Sequence, residues 1–164
     1  MTRTDVPAVA ALERGTFSTP WQPETFEQFL DPSSCVEVWI AEGSVEAGEW
    51  DPAGGTSGTG VLGYAVLWKA ADQGELANLA VQPAARGRGI GGQLLDRVLG
   101  RCSDCDLIAL YLEVRSSNEA ATALYETRGF RTVGVRKNYY THPREDALVM
   151  MKSFPGTATE GRLG

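Results

Sequence analysis

The run Arg86-Gly87-Arg88-Gly89-Ile90-Gly91-Gly92 combines two cations with four glycines. It follows a short apolar segment, Glu75–Val81, closed by Gln82-Pro83. It opens a segment in which Ile90, Leu94, Leu95, Val98 and Leu99 recur at helical spacing and build one apolar face. A glycine-rich turn that starts a helix leaves backbone N–H groups without intrahelical partners, and the helix dipole adds partial positive charge at the same end. With Arg86 and Arg88 beside them, these groups make an anion site, most naturally for a phosphate or pyrophosphate. Glycine lets the backbone approach such a ligand closely, because no Cβ stands in the way.

Two carboxylates and a phenol are the other candidates for chemistry. Glu113 ends the apolar run Leu107–Val114, and a carboxylate at the end of a buried strand is suited to taking protons near neutrality. The plainer reading is a solvated strand-end carboxylate paired with Arg115. Glu75, on the strand before the glycine loop, is a second candidate base. Tyr125 lies seven residues after Asn118, so on a helix the two share a face, about 10 Å apart along the axis. A tyrosine in that place is equally compatible with core packing.

The loop also satisfies G-x-G-x-x-G over Gly87–Gly92, and Glu113 falls where a ribose-binding acid would sit in a dinucleotide fold. Against this, Gln82–Arg86 separates strand from glycines. Roughly 70 residues remain after the motif, too few for the rest of a doubly wound sheet. Cys102-Ser103-Asp104-Cys105 spells C-x-x-C in a turn expected just past a helix end; with no second pair and a single distant histidine, His142, no metal site is expected. Cys35 makes the cysteine count odd, as suits a reducing compartment.

Arg86-x-x-Gly89-x-Gly91, preceded by Leu79-Ala80-Val81 and Pro83, resembles the acetyl-CoA loop of the GNAT acetyltransferase superfamily. Leu112-Glu113-Val114-Arg115, Asn118, Ala123-Leu124-Tyr125-Glu126, Gly129-Phe130, Asn138-Tyr139-Tyr140 and Arg144-Glu145-Asp146-Ala147 follow in order, with Pro20-Trp21 upstream. That series is similar to the RimI-type ribosomal-protein alanine N-acetyltransferases, over roughly residues 4 to 152. The resemblance implies a mixed, mostly antiparallel α/β GNAT fold in which two central parallel strands splay apart. It implies that Arg86–Gly92 holds the CoA pyrophosphate, that Leu79–Val81 pairs with the pantetheine arm, and that Asn118 bonds the same arm. Glu113 matches the family's general base and Tyr125 its general acid. Glu75 is the reserve base, beside the acceptor. Trp21, Tyr139 and Tyr140 border the peptide N-terminus.

Acetyl transfer from a thioester to an amine needs those groups. A free α-amino group, with a pKa of about 8, is mostly ammonium at neutral pH and must lose a proton. The tetrahedral oxyanion needs donors, and the departing thiolate benefits from an acid. The activity the resemblance implies is direct transfer of acetyl from acetyl-CoA to the α-amine of an alanine-starting ribosomal protein, without a metal. Transfer to lysine or a small amine, and a non-catalytic acyl-CoA or nucleotide-binding module, are the alternatives.

The elements that must position these groups follow from pattern. Residues 4–15 read as a helix capped by Thr4 or Asp5 and stopped by Gly15. A second helix spans Pro23–Leu30. Strands follow at Val36–Ala41, Val61–Lys69 and Glu75–Val81, then the loop and its helix, a strand at Leu107–Val114, a helix over Glu119–Arg128, and strands at Val133–Tyr140 and Ala147–Lys152. Residues 42–60, rich in Gly, Ser and Thr, read as a long surface loop. The length of 164 residues suits one domain, expected over 1–153, with 154–164 a frayed tail. A net charge of −6 disfavours a general nucleic-acid binder. No apolar run has the length of a membrane span and no signal-peptide pattern is present, so a cytoplasmic protein, monomeric by default, is expected.

Overall fold

The computed structural model describes residues 1–44 and 59–154. In chain order they form helices α1 (Val6–Thr16) and α2 (Pro23–Phe29), strands β1 (Val36–Ser44), β2 (Thr59–Ala70) and β3 (Gln73–Val81), helix α3 (Ile90–Asp104), strand β4 (Ala109–Arg115), helix α4 (Glu119–Glu126), and strands β5 (Arg131–Thr141) and β6 (Arg144–Ser153). The chain divides into two compact units, Met1–Trp68 with Leu76–Val98, and Lys69–Glu75 with Leu99–Gly164.

The first unit is built on β1, β2 and β3, neighbours in that order. β1 and β2 run antiparallel, from Val36 opposite Trp68 to Ser44 opposite Thr59, with a register slip at Ala41/Glu42. Val6, Val9, Ala10 and Leu12 of α1 pack with Phe26 of α2 and with Val61, Tyr64, Val66 and Ala80 of the strands. The apolar face of α3 is buried as its spacing predicts, with Leu94, Leu95 and Val98 nearly or fully inaccessible. β2 must come very close to β3 and α3 at Gly63: a Cβ there would stand 2.8 Å from the Ala80 carbonyl oxygen and 3.1 Å from Leu94 Cδ1. Gln82 fastens the end of β3, its backbone N–H donating to Leu62 O at 2.8 Å and its side-chain amide to Val61 O.

The second unit carries β4, β6 and β5 in that order, antiparallel throughout. β4 alternates: Leu110, Leu112 and Val114 are buried, while Tyr111, Glu113 and Arg115 share the half-buried face. β4 is opposed along its whole length by β6, from Ala109 opposite Ser153 to Arg115 opposite Ala147. β5 is irregular against β6, with shifts between Thr132 and Gly134 and again between Arg136 and Tyr140.

Several boundaries differ from the sequence pattern for local reasons. α1 runs through Gly15 to Thr16, and Phe17 N–H closes its last turn on Glu13 O at 3.0 Å. Asp5 precedes it without a side-chain capping bond to the helix; its carboxylate accepts from Thr2 N–H instead, at 2.6 Å. β1 reaches Ser44 and β2 starts at Thr59, so both ends of the stretch expected as loop are paired strand. Residues 45–58, with Trp50, and 155–164 lie outside the described residues. The loop expected at residues 142–146 shrinks to His142-Pro143, because Arg144, Glu145 and Asp146 belong to β6. Cys102 is buried in the last turn of α3, not past it, with Cys105 just beyond. Asn118 caps α4 as expected, its side-chain oxygen accepting from Ala121 N–H at 3.1 Å, and Gly129, at φ +83°, follows the helix.

The close approach at Gly63 makes a sharp test. Gly63→Ala should lower folding stability by about 1–3 kcal/mol through overpacking against backbone, read as a lower denaturant midpoint at unchanged slope. Gly60→Ala, with nothing within 4 Å of the new Cβ, should leave the midpoint in place.

Candidate active site

In the first unit the glycine loop takes the turn-into-helix form its sequence implies. Pro83–Ala85 makes a single 3-10 turn, Gly87 and Gly89 adopt φ of +76° and +77°, and α3 begins at Ile90. These left-handed positions require glycine or strain the backbone. A Cβ at either glycine would meet nothing within 4 Å, so the space over the loop is open to a ligand. The bond from Gln93 N–H to Gly89 O, 3.0 Å, opens the helix ladder, so the N–H groups of Ile90, Gly91 and Gly92 precede it. Arg86 folds its Nε onto Val81 O at 3.2 Å, tying the loop to β3, and Arg88 is exposed. Leu79, Ala80 and Val81 lead into this turn. A diphosphate fits these residues: open glycine backbone, helix-start donors and two guanidinium groups.

Trp21 also belongs to the first unit. Its ring stacks on Trp68 at 6.1 Å and 9°, and takes Phe29 edge-on at 5.5 Å. Phe17 and Trp21 are both half-buried against the core.

In the second unit the structure brings Glu113, Glu75, Tyr139 and Tyr140 together and adds Arg136, which motif reasoning had not singled out. Glu113 pairs with Arg136, Oε1 to Nε at 2.5 Å. Arg115, the expected partner of Glu113, is committed elsewhere. Its guanidinium donates to Pro143 O and to Glu145 Oε2, both at 3.2 Å, and to His142 O at 3.1 Å, and lies 4.1 Å over the Tyr140 ring. Glu145 also accepts from Ser117 N–H at 2.6 Å and from the Ser116 hydroxyl. These bonds hold the Glu145 carboxyl down to a pKa of about 2, the Ser117 bonds foremost. The turn after β4 is thereby fastened to the tip of the β5–β6 hairpin.

The bulge in β5 supplies the rest. Lys137, Asn138 and Tyr139 lie between the pairs Arg136–Ala147 and Tyr140–Glu145, facing only Asp146. Asp146 accepts from Asn138 N–H at 2.8 Å and pairs with Lys137 Nζ at 2.7 Å, and Asn138 takes φ +53°. Tyr139 then donates its hydroxyl to Glu113, and that bond leads the causes that push its pKa up to about 12. The Tyr139 and Tyr140 rings meet edge to face at 5.2 Å.

The pKa of Glu75 is raised. Partial burial is the largest cause, the charge of Glu113 the next, and Arg136 opposes both. Two carboxylates close enough to repel, with one cation between their effects, make a site that welcomes a second cation. Tyr125 is buried, edge-on to Phe130 at 5.7 Å, and its phenol is raised well above the ordinary range, by burial first and then by Tyr140. It therefore stays protonated at neutral pH and can act as a donor only through placement. No cluster of three or more metal-ligating side chains occurs among the described residues. Nor is any helix among them long and apolar enough to cross a membrane.

The acetyltransferase (GNAT) family model matches residues 6–130. The chain belongs to that family. An acyltransferase assignment follows, and it sets aside both the dinucleotide reading of the glycine loop and the non-catalytic binding module. A relative from Bacillus subtilis named putative [ribosomal protein bS18]-alanine N-acetyltransferase is 31% identical, with 89% of this chain and 87% of the relative covered. The Escherichia coli K12 [ribosomal protein bS18]-alanine N-acetyltransferase is 32% identical over 90% of each chain. The crystal structure of the E. coli ribosomal-protein-S18-alanine N-acetyltransferase superposes with a TM-score of 0.75 at 30% identity, covering 96% of this chain and 94% of that one. Ard1 from Thermoplasma volcanium shares the fold, at a TM-score of 0.74. The mixed, mostly antiparallel α/β fold expected from sequence is the GNAT fold of these structures.

The charge coupling within the cluster has signed consequences. Glu113→Gln should lower the titration midpoint of Glu75, because it removes a like charge. Arg136→Gln should raise it, because it removes the opposing cation. Carboxyl-carbon NMR of Glu75 reads both, and a midpoint that ignores both substitutions would show that the three groups are not coupled.

Proposed function

We propose that the protein transfers the acetyl group of acetyl-CoA to the α-amine of an alanine-starting protein, a ribosomal protein of the bS18 kind, by direct attack. Likeness to relatives bearing that name over nine-tenths of the chain supports the acceptor. The observation that carries the chemistry is the grouping of Glu113, Glu75, Arg136 and Tyr139, with buried Tyr125 coupled to the same hairpin through Tyr140. The CoA diphosphate is held by Arg86, Arg88 and the Gly87–Gly92 backbone, with Asn118 meeting the pantetheine arm. Trp21, Tyr139 and Tyr140 hold the peptide end.

The acceptor arrives as an ammonium, drawn by the two carboxylates. Glu113 takes its proton, directly or through water, with Glu75 as the reserve base. The freed nitrogen attacks the thioester carbonyl, and N–H groups of Leu79–Val81 receive the oxyanion. As the C–N bond forms and the C–S bond breaks, Tyr125 gives its proton to the departing thiolate, and the second proton lost by the nitrogen returns through water to the phenolate. A phenol with a raised pKa does this only when fixed beside the sulfur, and its burial against Phe130 fixes it. The direct route uses no cysteine as an acyl carrier, and Cys102 is buried.

The acceptor panel decides the substrate class. CoA release should be seen with an Ala-starting basic peptide. None should be seen with the same peptide N-blocked and carrying an internal lysine, or with a polyamine. Turnover on lysine or polyamine alone would replace the acceptor assignment. With the productive peptide, Glu113→Gln should lower kcat/KM by about 10²–10⁴, the usual worth of a general base, and far more than Glu75→Gln. Parent-like rates for Glu113→Gln would move the base to Glu75, and the pH–rate profiles of the two variants would show which carboxylate sets the acidic limb.

A further inference from the structure

Glu13 is a carboxylate that the transfer reaction leaves unused. It is the one acidic side chain classed as buried among the described residues, 1% exposed in the third turn of α1. Both of its oxygens are engaged by neutral donors from three separate segments. Trp21 N–H donates to Oε1 at 3.0 Å, the Tyr64 hydroxyl donates to Oε2, and Asn78 Nδ2 lies 3.2 and 3.1 Å from the two oxygens. Burial raises its pKa despite these bonds. A buried carboxylate held this way costs folding energy that a leucine or methionine in the same place would not. Packing alone therefore gives a poor account of it. A carboxylate can accept from a backbone N–H, a phenol and an amide at one point, and that is the function visible in its contacts.

Those contacts converge on Trp21. Glu13 captures its backbone at the end of the turn that follows α1. Tyr64, bonded to Glu13, packs edge-on to Phe26 at 5.8 Å, and Phe26 lies 5.9 Å from the Trp21 ring. Asn78, the third donor, immediately precedes Leu79 on β3. One carboxyl group thus sets the backbone of Trp21, and indirectly its ring, against the strand segment assigned to the acyl donor.

We infer that Glu13 is a positioning residue for acceptor recognition, fixing Trp21 relative to Leu79–Val81 through the Tyr64–Asn78–Trp21 hydrogen-bond hub. This rests on the reading that Trp21 lines the acceptor site.

The full-length protein, acetyl-CoA and the Ala-starting peptide test it. Glu13→Gln keeps the shape and loses the charge and one acceptor. It should raise the peptide KM about tenfold, equivalent to about 1.4 kcal/mol, and leave the acetyl-CoA KM unchanged. Trp21→Ala should raise the peptide KM at least as much, and Glu13→Gln with Trp21→Ala should be no worse than Trp21→Ala alone, since the two act through one element. Val6→Ala, a core truncation elsewhere on α1, should lower thermal stability without moving the peptide KM. Independently of activity, amide exchange at Trp21 should speed up at least tenfold in Glu13→Gln. Additive effects, or equal rises in both KM values, would reduce Glu13 to a folding role and overturn the inference. Faster Trp21 exchange with a peptide KM that ignores Trp21→Ala would overturn it differently: the anchor would stand and the acceptor reading of Trp21 would fall.

Discussion

Asp146 keeps β5 out of step with β6, and the candidate site depends on that slip. Its carboxylate takes the Asn138 N–H and the Lys137 ammonium, so three residues of one strand face a single residue of the other. A regular antiparallel pair would send successive side chains to opposite faces. The bulge removes that alternation locally. Tyr139 can then join Arg136, which stays in register opposite Ala147, at Glu113, while the charge of Glu113 raises the pKa of Tyr140. The left-handed backbone at Asn138 is a local cost that asparagine tolerates better than most residues.

A second constraint holds the hairpin tip. Arg115 and Glu113 are two apart on β4 and share its half-buried face, yet they do different work. Arg115 reaches the carbonyls at His142 and Pro143 and the carboxylate of Glu145, and Glu145 reaches back to Ser116 and Ser117. Each bond is modest alone. Together they close a ring of contacts between the turn after β4 and the hairpin, and Tyr140 is covered by the guanidinium that closes it. The depressed Glu145 pKa says how this ring responds to acid. Its contribution is complete above the ordinary glutamate range and is lost as pH falls toward about 2.

Glu113 and Glu75 differ in how close a cation stands to each. Glu113 has a close cation; Glu75 has none as close and keeps the raised pKa. That asymmetry gives the two carboxylates different surroundings on one side of the sheet. The glycine turn before α3 presents backbone N–H groups at the helix start, with Arg86 bonded to Val81 O and Arg88 exposed beside it.

The sequence by itself determined the local chemistry. Two left-handed glycines, a helix-opening turn and the apolar stripe of α3 follow from residue type and spacing, because they need only neighbouring residues to form. The Asn118 cap, the stop at Gly129, the alternation of β4 and the ordered motifs around Glu113 and Tyr125 were legible for the same reason. Tertiary structure decided who meets whom. That Glu113 pairs with Arg136 depends on how β5 is registered against β6, and that Tyr139 reaches Glu113 depends on a bulge whose bonding partner, Asp146, lies on the other strand. That Gly15 does not end α1 depends on Glu13 and the turn it anchors. The hub of Glu13, Tyr64 and Asn78 joins residues 51 and 65 positions apart, and no periodicity within a single element reports such a contact. Pattern fixes what one segment can do; burial and long-range hydrogen bonding choose its partners.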